Sequence, residues 1–98
     1  MIEIRELPEF ATWLRALADS RAKAKIAARI RRLQLGNPGD VEPVGGGVSE
    51  LRIHYGPGYR VYFRQHGKEL IILLCGGDKK SQTKDIAKAQ ALAQCIKE

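Results

Sequence analysis

The run LIILLC, from Leu70 to Cys75, restricts the folds open to this chain more than any other stretch. Within a strand predicted from Glu69 to Gly77 it leaves no polar face, and such a strand needs cover on both sides. The run is far short of the roughly 20 residues of a membrane-crossing helix. An interior strand of a small sheet is therefore expected here.

The elements that could cover it are readable on either side. Ile2 and Ile4 alternate with Glu3 and Arg5, which predicts a short strand over Met1–Glu6. Pro8 suits the first turn of a helix whose apolar stripe is Phe10, Trp13, Leu14 and Leu17. Asp19 or Ser20 can cap a second helix with a buried side of Ala22, Ile26, Ile30 and Leu33, and Gly36-Asn37-Pro38 stops it. Residues 39–47, GDVEPVGGG, show no periodicity and read as a loop. Leu51, Ile53 and Tyr55, then Tyr59, Val61 and Phe63, alternate on two strands joined by Gly56-Pro57-Gly58 and form one core face. GGDKKSQTKD is a polar connector. Ile86, Ala89, Ala93 and Ile96 mark a last helix that Ser81 or Thr83 can cap. The order β-α-α-β-β-β-α describes an α+β fold: a small, mostly antiparallel twisted sheet with two N-terminal helices and one C-terminal helix packed on it. Its 98 residues suffice for one domain, residues 1–98.

The net charge of +6 is unevenly placed. Residues 1–50 hold eight Lys/Arg against seven Asp/Glu, and residues 51–98 hold nine against four. A basic chain of this size commonly meets nucleic acid or an acidic protein. Cys75 and Cys95 fall in an apolar run and a helical pattern, which suits two free thiols better than a disulfide. His54 and His66 stand alone, no metal-ligand spacing occurs, and no phosphate-loop fingerprint is present, so no metal or cofactor is expected. MIEIRELPEF has neither the basic start nor the apolar stretch of a secretory signal, which makes the cytoplasm the expected location, away from membranes.

Two basic surfaces stand out. On the hairpin, the positions alternating with the core face are Arg52, His54, Arg60, Tyr62 and Arg64. They form either a solvated sheet surface or a site for an anion. On the second helix, Arg21, Lys25, Arg29 and Arg32 form either a solvated face or a docking strip for a phosphate backbone or an acidic partner. Tyr62 could stack on a nucleobase or pack across the strands. His66, beside Gly67 in a turn, reads as structural.

The element order, the GYRVYF strand and the closing LLCGGDKKSQTKDIAKA resemble the RelE/ParE superfamily of bacterial toxins, and most closely its HigB-like addiction-module killer subgroup. The resemblance spans essentially the whole chain, and GGDKKSQTKDI is its most specific part. It implies the toxin half of a type II toxin–antitoxin pair. Most such toxins are ribosome-dependent endoribonucleases that cleave mRNA in the A site without a metal and so stop translation. ParE-like members instead inhibit DNA gyrase, and a non-catalytic co-repressor is a third possibility. The implied partners are the ribosome and mRNA, and a cognate helix-turn-helix antitoxin through which the complex reaches operator DNA. By position, Arg52 and His54 match the family's basic pair, Arg60 its phosphate-clamping arginine, and Lys79 and Lys80 the basic residues before the last helix. These five are the candidate catalytic residues. Arg64, Tyr62, Lys84, Lys25 and Arg29 are candidate RNA contacts. Near Lys84 and Asp85 some relatives place a tyrosine, which this chain lacks, and its tail QCIKE carries no aromatic or histidine. That leaves the general base and acid open, with His54 the candidate for one of them.

Overall fold

The computed structural model describes residues 1–96. Strand β1 (Glu3–Glu6) leads into helices α1 (Pro8–Ala16) and α2 (Ser20–Gln34). Strands β2 (Val41–Gly45), β3 (Val48–Ile53), β4 (Tyr59–His66) and β5 (Leu70–Asp78) follow, then a 3-10 turn (Lys79–Ser81) and helix α3 (Gln82–Gln94). The sheet order is β1-β5-β4-β3-β2, with β1 parallel to β5 and every other pair antiparallel. The expected α+β architecture is present, with one extra strand.

That strand corrects the loop reading of residues 39–47. Val41–Gly45 pairs with β3 through a bulge between Pro43 and Gly45, and the three consecutive glycines belong largely to the turn that follows. Two further boundaries move. β5 starts at Leu70 and runs one residue past the expected Gly77 to Asp78, so the polar connector shrinks to the 3-10 turn. Asp78 caps that turn, its carboxylate accepting from the Lys80 and Ser81 backbone N–H groups. Ser81 takes the N-cap position of α3 without a side-chain bond to the helix backbone.

Local chemistry accounts for the helix ends. Pro8 opens α1, where its missing N–H costs no bond. The Asp19 carboxylate caps α2 by accepting from the N–H groups of Arg21 and Ala22. At the other end Gly36 adopts φ +86°, and Gly36 N–H and Asn37 N–H bond back to Leu33 and Arg32. This paired closure needs a left-handed residue, which glycine supplies without steric cost.

The sheet is covered on both faces, as LIILLC requires. One layer gathers Phe10, Ile26 and Leu33 from α1 and α2 against Leu51, Ile53, Val61, Phe63, Ile71 and Leu73. The other packs Ala89 and Ala93 of α3 on Val48, Tyr62, Leu70, Ile72, Leu74 and Cys75. Alternation therefore assigned the first core face correctly, with Tyr55 and Tyr59 half-buried at its margin. Leu74 and Cys75 can both face α3 because β5 is irregular there, opposite Tyr62 and Phe63. Cys75 is buried and Cys95 exposed, and both thiols are free. Among the described residues no helix is long and apolar enough to cross a membrane.

Candidate functional site

α3 divides the polar side of the hairpin into two regions. Under the helix lies Tyr62, fully buried. At the end near the 3-10 turn, Arg52, His54, Arg60 and Lys79 line one cleft of about 380 Å³ with the Gly56-Pro57-Gly58 turn. Four of the ten sequence-predicted site residues thus come together. His54 lies one residue beyond the end of β3, so it reaches the cleft from the turn and not from the strand. Gly58, at φ +80°, lets the chain turn back so that Arg60 faces Arg52.

Arg52 and Arg60 are direct cross-strand partners, and so are Glu50 and Tyr62. Two like charges opposite one another in a sheet repel. Here a carboxylate separates them. Glu50, on the same face two residues before Arg52, is completely buried. Its Oε1 accepts from Arg52 Nε at 2.9 Å, and its Oε2 lies 3.5 Å from Arg60 Nε. Oε2 also accepts from the Tyr62 hydroxyl and from Gln82 Nε2 of α3, both at 2.9 Å. Burial raises the Glu50 pKa, but the bonds from Arg52, Gln82 and Tyr62 outweigh it and hold the group below its ordinary range. A buried charge stripped of its sole partner costs about 3–5 kcal/mol, whereas Glu50 has four groups around it and keeps three when one is removed.

The rim is more exposed. Arg52 Nη2 lies 3.4 Å from Glu42 of β2, and Arg60 Nη1 donates to the Gly58 carbonyl at 2.6 Å. His54 Nε2 sits 2.6 Å from Asp40 Oδ2. With the proton on Nε2 donated to Asp40, Nδ1 is the free acceptor on the imidazole. The bond with His54, aided by the charges of Arg52 and Arg29, keeps Asp40 below the usual carboxylate range against the opposing effect of burial.

The other candidates are placed differently. Tyr62 cannot stack on a base, because its ring is buried beneath α3 and its hydroxyl is bonded to Glu50; the structure corrects that assignment. Arg64 Nη1 donates to the Ala93 carbonyl near the end of α3, apart from the cleft. Arg29 turns inward and donates to the carbonyls of Arg52, Pro38 and Asp40, which pins α2 to the start of the β2–β3 pair. Lys25 lies 5.2 Å from the Tyr55 ring centroid. With Arg29, Arg32, His54 and Tyr55 it lines a groove that adjoins the cleft through His54 and Tyr55. Lys80 and Lys84 are exposed and outside the cleft. His66, half-buried at the end of β4, leaves a buried Nε2 without a partner among the described residues. The tail QCIKE ends in Lys97 and Glu98, which lie outside the described residues.

Sequence reasoning missed Glu50, Asp40 and Gln82. Extending the alternation one step back from Arg52 would have put Glu50 on the same face. For Asp40 and Gln82 there was no local signal, since both act across the fold.

Burial of Tyr62 has a testable consequence. Burial first, and the Glu50 carboxylate second, raise its phenol far above the ordinary tyrosine range. The fold therefore favours the neutral phenol. Stability falls as pH rises past the ordinary tyrosine value of 10.0, where the unfolded chain ionises first, and on toward the elevated one. Alkaline titration of tyrosinate absorbance is expected to show the same amplitude in folded wild type and in Tyr62→Phe. A smaller amplitude in the variant would mean that Tyr62 is accessible. Glu50 acts at the opposite end of the scale. Its contribution is complete above about pH 4.5 and declines as pH falls through its lowered pKa.

Fold and cleft together define a small α+β domain with a basic recess at one end of its sheet. The chain belongs to the phage-derived protein Gp49-like family (DUF891), which residues 12–94 match. It is also 55% identical over 93 residues to a protein of Haemophilus influenzae (strain ATCC 51907 / DSM 11121 / KW20 / Rd) described as uncharacterized. That similarity covers 95% of this chain and 94% of the relative.

Proposed function

We propose that this protein is the toxin of a type II toxin–antitoxin pair, a ribosome-dependent mRNA endonuclease of the HigB-like kind that acts in the cytoplasm and inhibits translation. The observation that carries the reading is the opposed pair Arg52 and Arg60, held by one buried carboxylate beside His54 and Lys79. Paired guanidinium groups suit the non-bridging oxygens of a phosphodiester. Membership of the Gp49-like family and the likeness to RelE/ParE toxins point the same way.

In this reading the RNA 2′-oxygen attacks the adjacent phosphorus while the bond to the 5′-oxygen breaks, leaving a 2′,3′-cyclic phosphate and a free 5′-hydroxyl. His54, with Nδ1 open and Nε2 on Asp40, takes the 2′-hydroxyl proton. Arg52 and Arg60 meet the charge that grows on the phosphoryl oxygens. Lys79, at the cleft margin, supplies the proton to the departing 5′-oxygen. The groove along α2, with Lys25 at its edge, continues the path of the backbone. A cognate helix-turn-helix antitoxin neutralises the toxin and carries the complex to operator DNA.

Controlled induction in a bacterial host tests this. Translation is expected to stop before DNA replication, and primer extension is expected to find new mRNA 5′ ends inside reading frames. Arrest of replication first, with a DNA-damage response and intact mRNA, would favour a gyrase inhibitor. Intact mRNA without arrest of either process would leave a non-catalytic co-repressor.

A further inference from the structure

We infer that Glu50 is the positioning residue of the cleft, orienting Arg52 and Arg60 as one clamp for a phosphodiester. This rests on the function proposed above but assigns a role to a residue that the chemistry does not touch.

The inference comes from a buried charge placed where an apolar side chain would otherwise suit the layer beneath α3. Glu50 accepts a hydrogen bond from Arg52 Nε and faces the buried Arg60 Nε at 3.5 Å, an ion pair without a hydrogen bond, so it meets the inner edge of each guanidinium. The terminal nitrogens are left at the cleft, one of Arg52 near Glu42 and one of Arg60 on the Gly58 carbonyl. Tyr62 and Gln82 then bond to the same carboxylate from β4 and α3, so it is fixed by two elements as well as by its own strand. Glu50 offsets one arginine and Glu42 and Asp40 stand at the rim by Arg52 and His54, which leaves the side lined by Arg60 and Lys79 cationic. Glu50 therefore contributes orientation, whereas its charge acts against anion binding. That opposition separates it from a simple attraction site. Preorganised donors accelerate a reaction because they need no rearrangement when charge develops, and a misplacement near 1 Å can cost about 10²-fold.

The test compares Glu50→Gln and Gln82→Ala with wild type. Single-turnover cleavage of ribosome-bound mRNA gives a maximal rate and a half-saturating toxin concentration. In Glu50→Gln the rate is expected to fall roughly 10²-fold, with half-saturation unchanged or lower because the recess has gained positive charge. Gln82→Ala, which removes one donor and keeps the carboxylate, is expected to lose less rate. It also stands in for Glu50→Gln should that variant not fold. Proton–nitrogen NMR of the arginine Nε–H groups supplies a second readout. Wild type is expected to show protected signals for Arg52 and Arg60 that shift together on titration with inorganic phosphate. Glu50→Gln is expected to lose that protection. Rates in both variants within about twofold of wild type, or Nε–H signals unchanged in Glu50→Gln, would overturn the positioning role. So would a rate loss fully explained by the unfolded fraction in a thermal melt. If wild type cleaves no mRNA, the proposed function falls, while the Nε–H signals still decide what Glu50 holds.

Discussion

Arg60→Ala is expected to abolish growth arrest on induction, and Arg60→Lys is expected to recover little of it. The loss should be about 10²–10³-fold in cleavage rate, the range for removing one fixed donor from a site where charge develops. The lysine variant keeps the charge and removes the fork. An ammonium on a flexible stem cannot reproduce the guanidinium that reaches both Glu50 and the Gly58 carbonyl. The fold should tolerate the change, because Glu50 keeps Arg52, Tyr62 and Gln82 as partners. Far-ultraviolet circular dichroism should accordingly match wild type. Full toxicity in the alanine variant would remove Arg60 from the site. Full toxicity in the lysine variant alone would reduce its role to charge.

The second large effect concerns the fold. Gly76 sits on β5 directly beneath Trp13, and a Cβ there would overlap three ring carbons of the indole. Its φ is not in the left-handed region, so the constraint is space and not backbone conformation. Trp13 cannot give way freely, since its ring packs on Phe10 at 5.9 Å and edge-on to Tyr59 at 6.3 Å between centroids. Overpacking costs typically 1–3 kcal/mol and more where an aromatic must leave its site, so Gly76→Ala is expected to lose about 3 kcal/mol. For a domain of this size that corresponds to roughly 12–24 °C in Tm. Adding Trp13→Leu should recover part of the loss, because the double variant removes the overlapping ring. A melt of Gly76→Ala within a few degrees of wild type would show that Trp13 does not bear on this glycine. Gly77 makes a useful contrast. A Cβ there meets the Asp85 carboxylate, which is bonded to Ser81 Oγ at 2.5 Å but ends a side chain that can turn away.

The motif GGDKKSQTKD thus has a packing basis that its sequence did not disclose. Elsewhere, what was legible depended on periodicity. Leu51, Ile53, Val61 and Phe63 follow a two-residue repeat and Phe10, Ile26 and Leu33 a helical one, and all seven are buried in one layer. β2 was not legible, because Pro43 and the glycines break any repeat and the strand exists through its bonds to β3. Tyr62 was misjudged for a related reason. Alternation gives the side of the sheet, but whether that side faces water depends on where α3 lies across it. The convergence of Arg52, His54, Arg60 and Lys79 was partly readable, the first three from spacing and the lysine from family position. Glu50 was not, since a glutamate at the start of a strand looks the same whether solvated or buried. Burial is a property of the assembled layers, and only these distinguish the two.

The two margins of the sheet carry a consequence for how the molecule behaves in a crowded solution. Unpaired strand edges invite other chains to add on. β2 presents a short segment interrupted by Pro43 and a bulge, and β1 carries the exposed charges of Glu3, Arg5 and Glu6 over only four residues. Both devices discourage edge-to-edge aggregation. A binding protein would then have to grip side chains on the helices and the cleft rim, because the backbone margins offer little to extend.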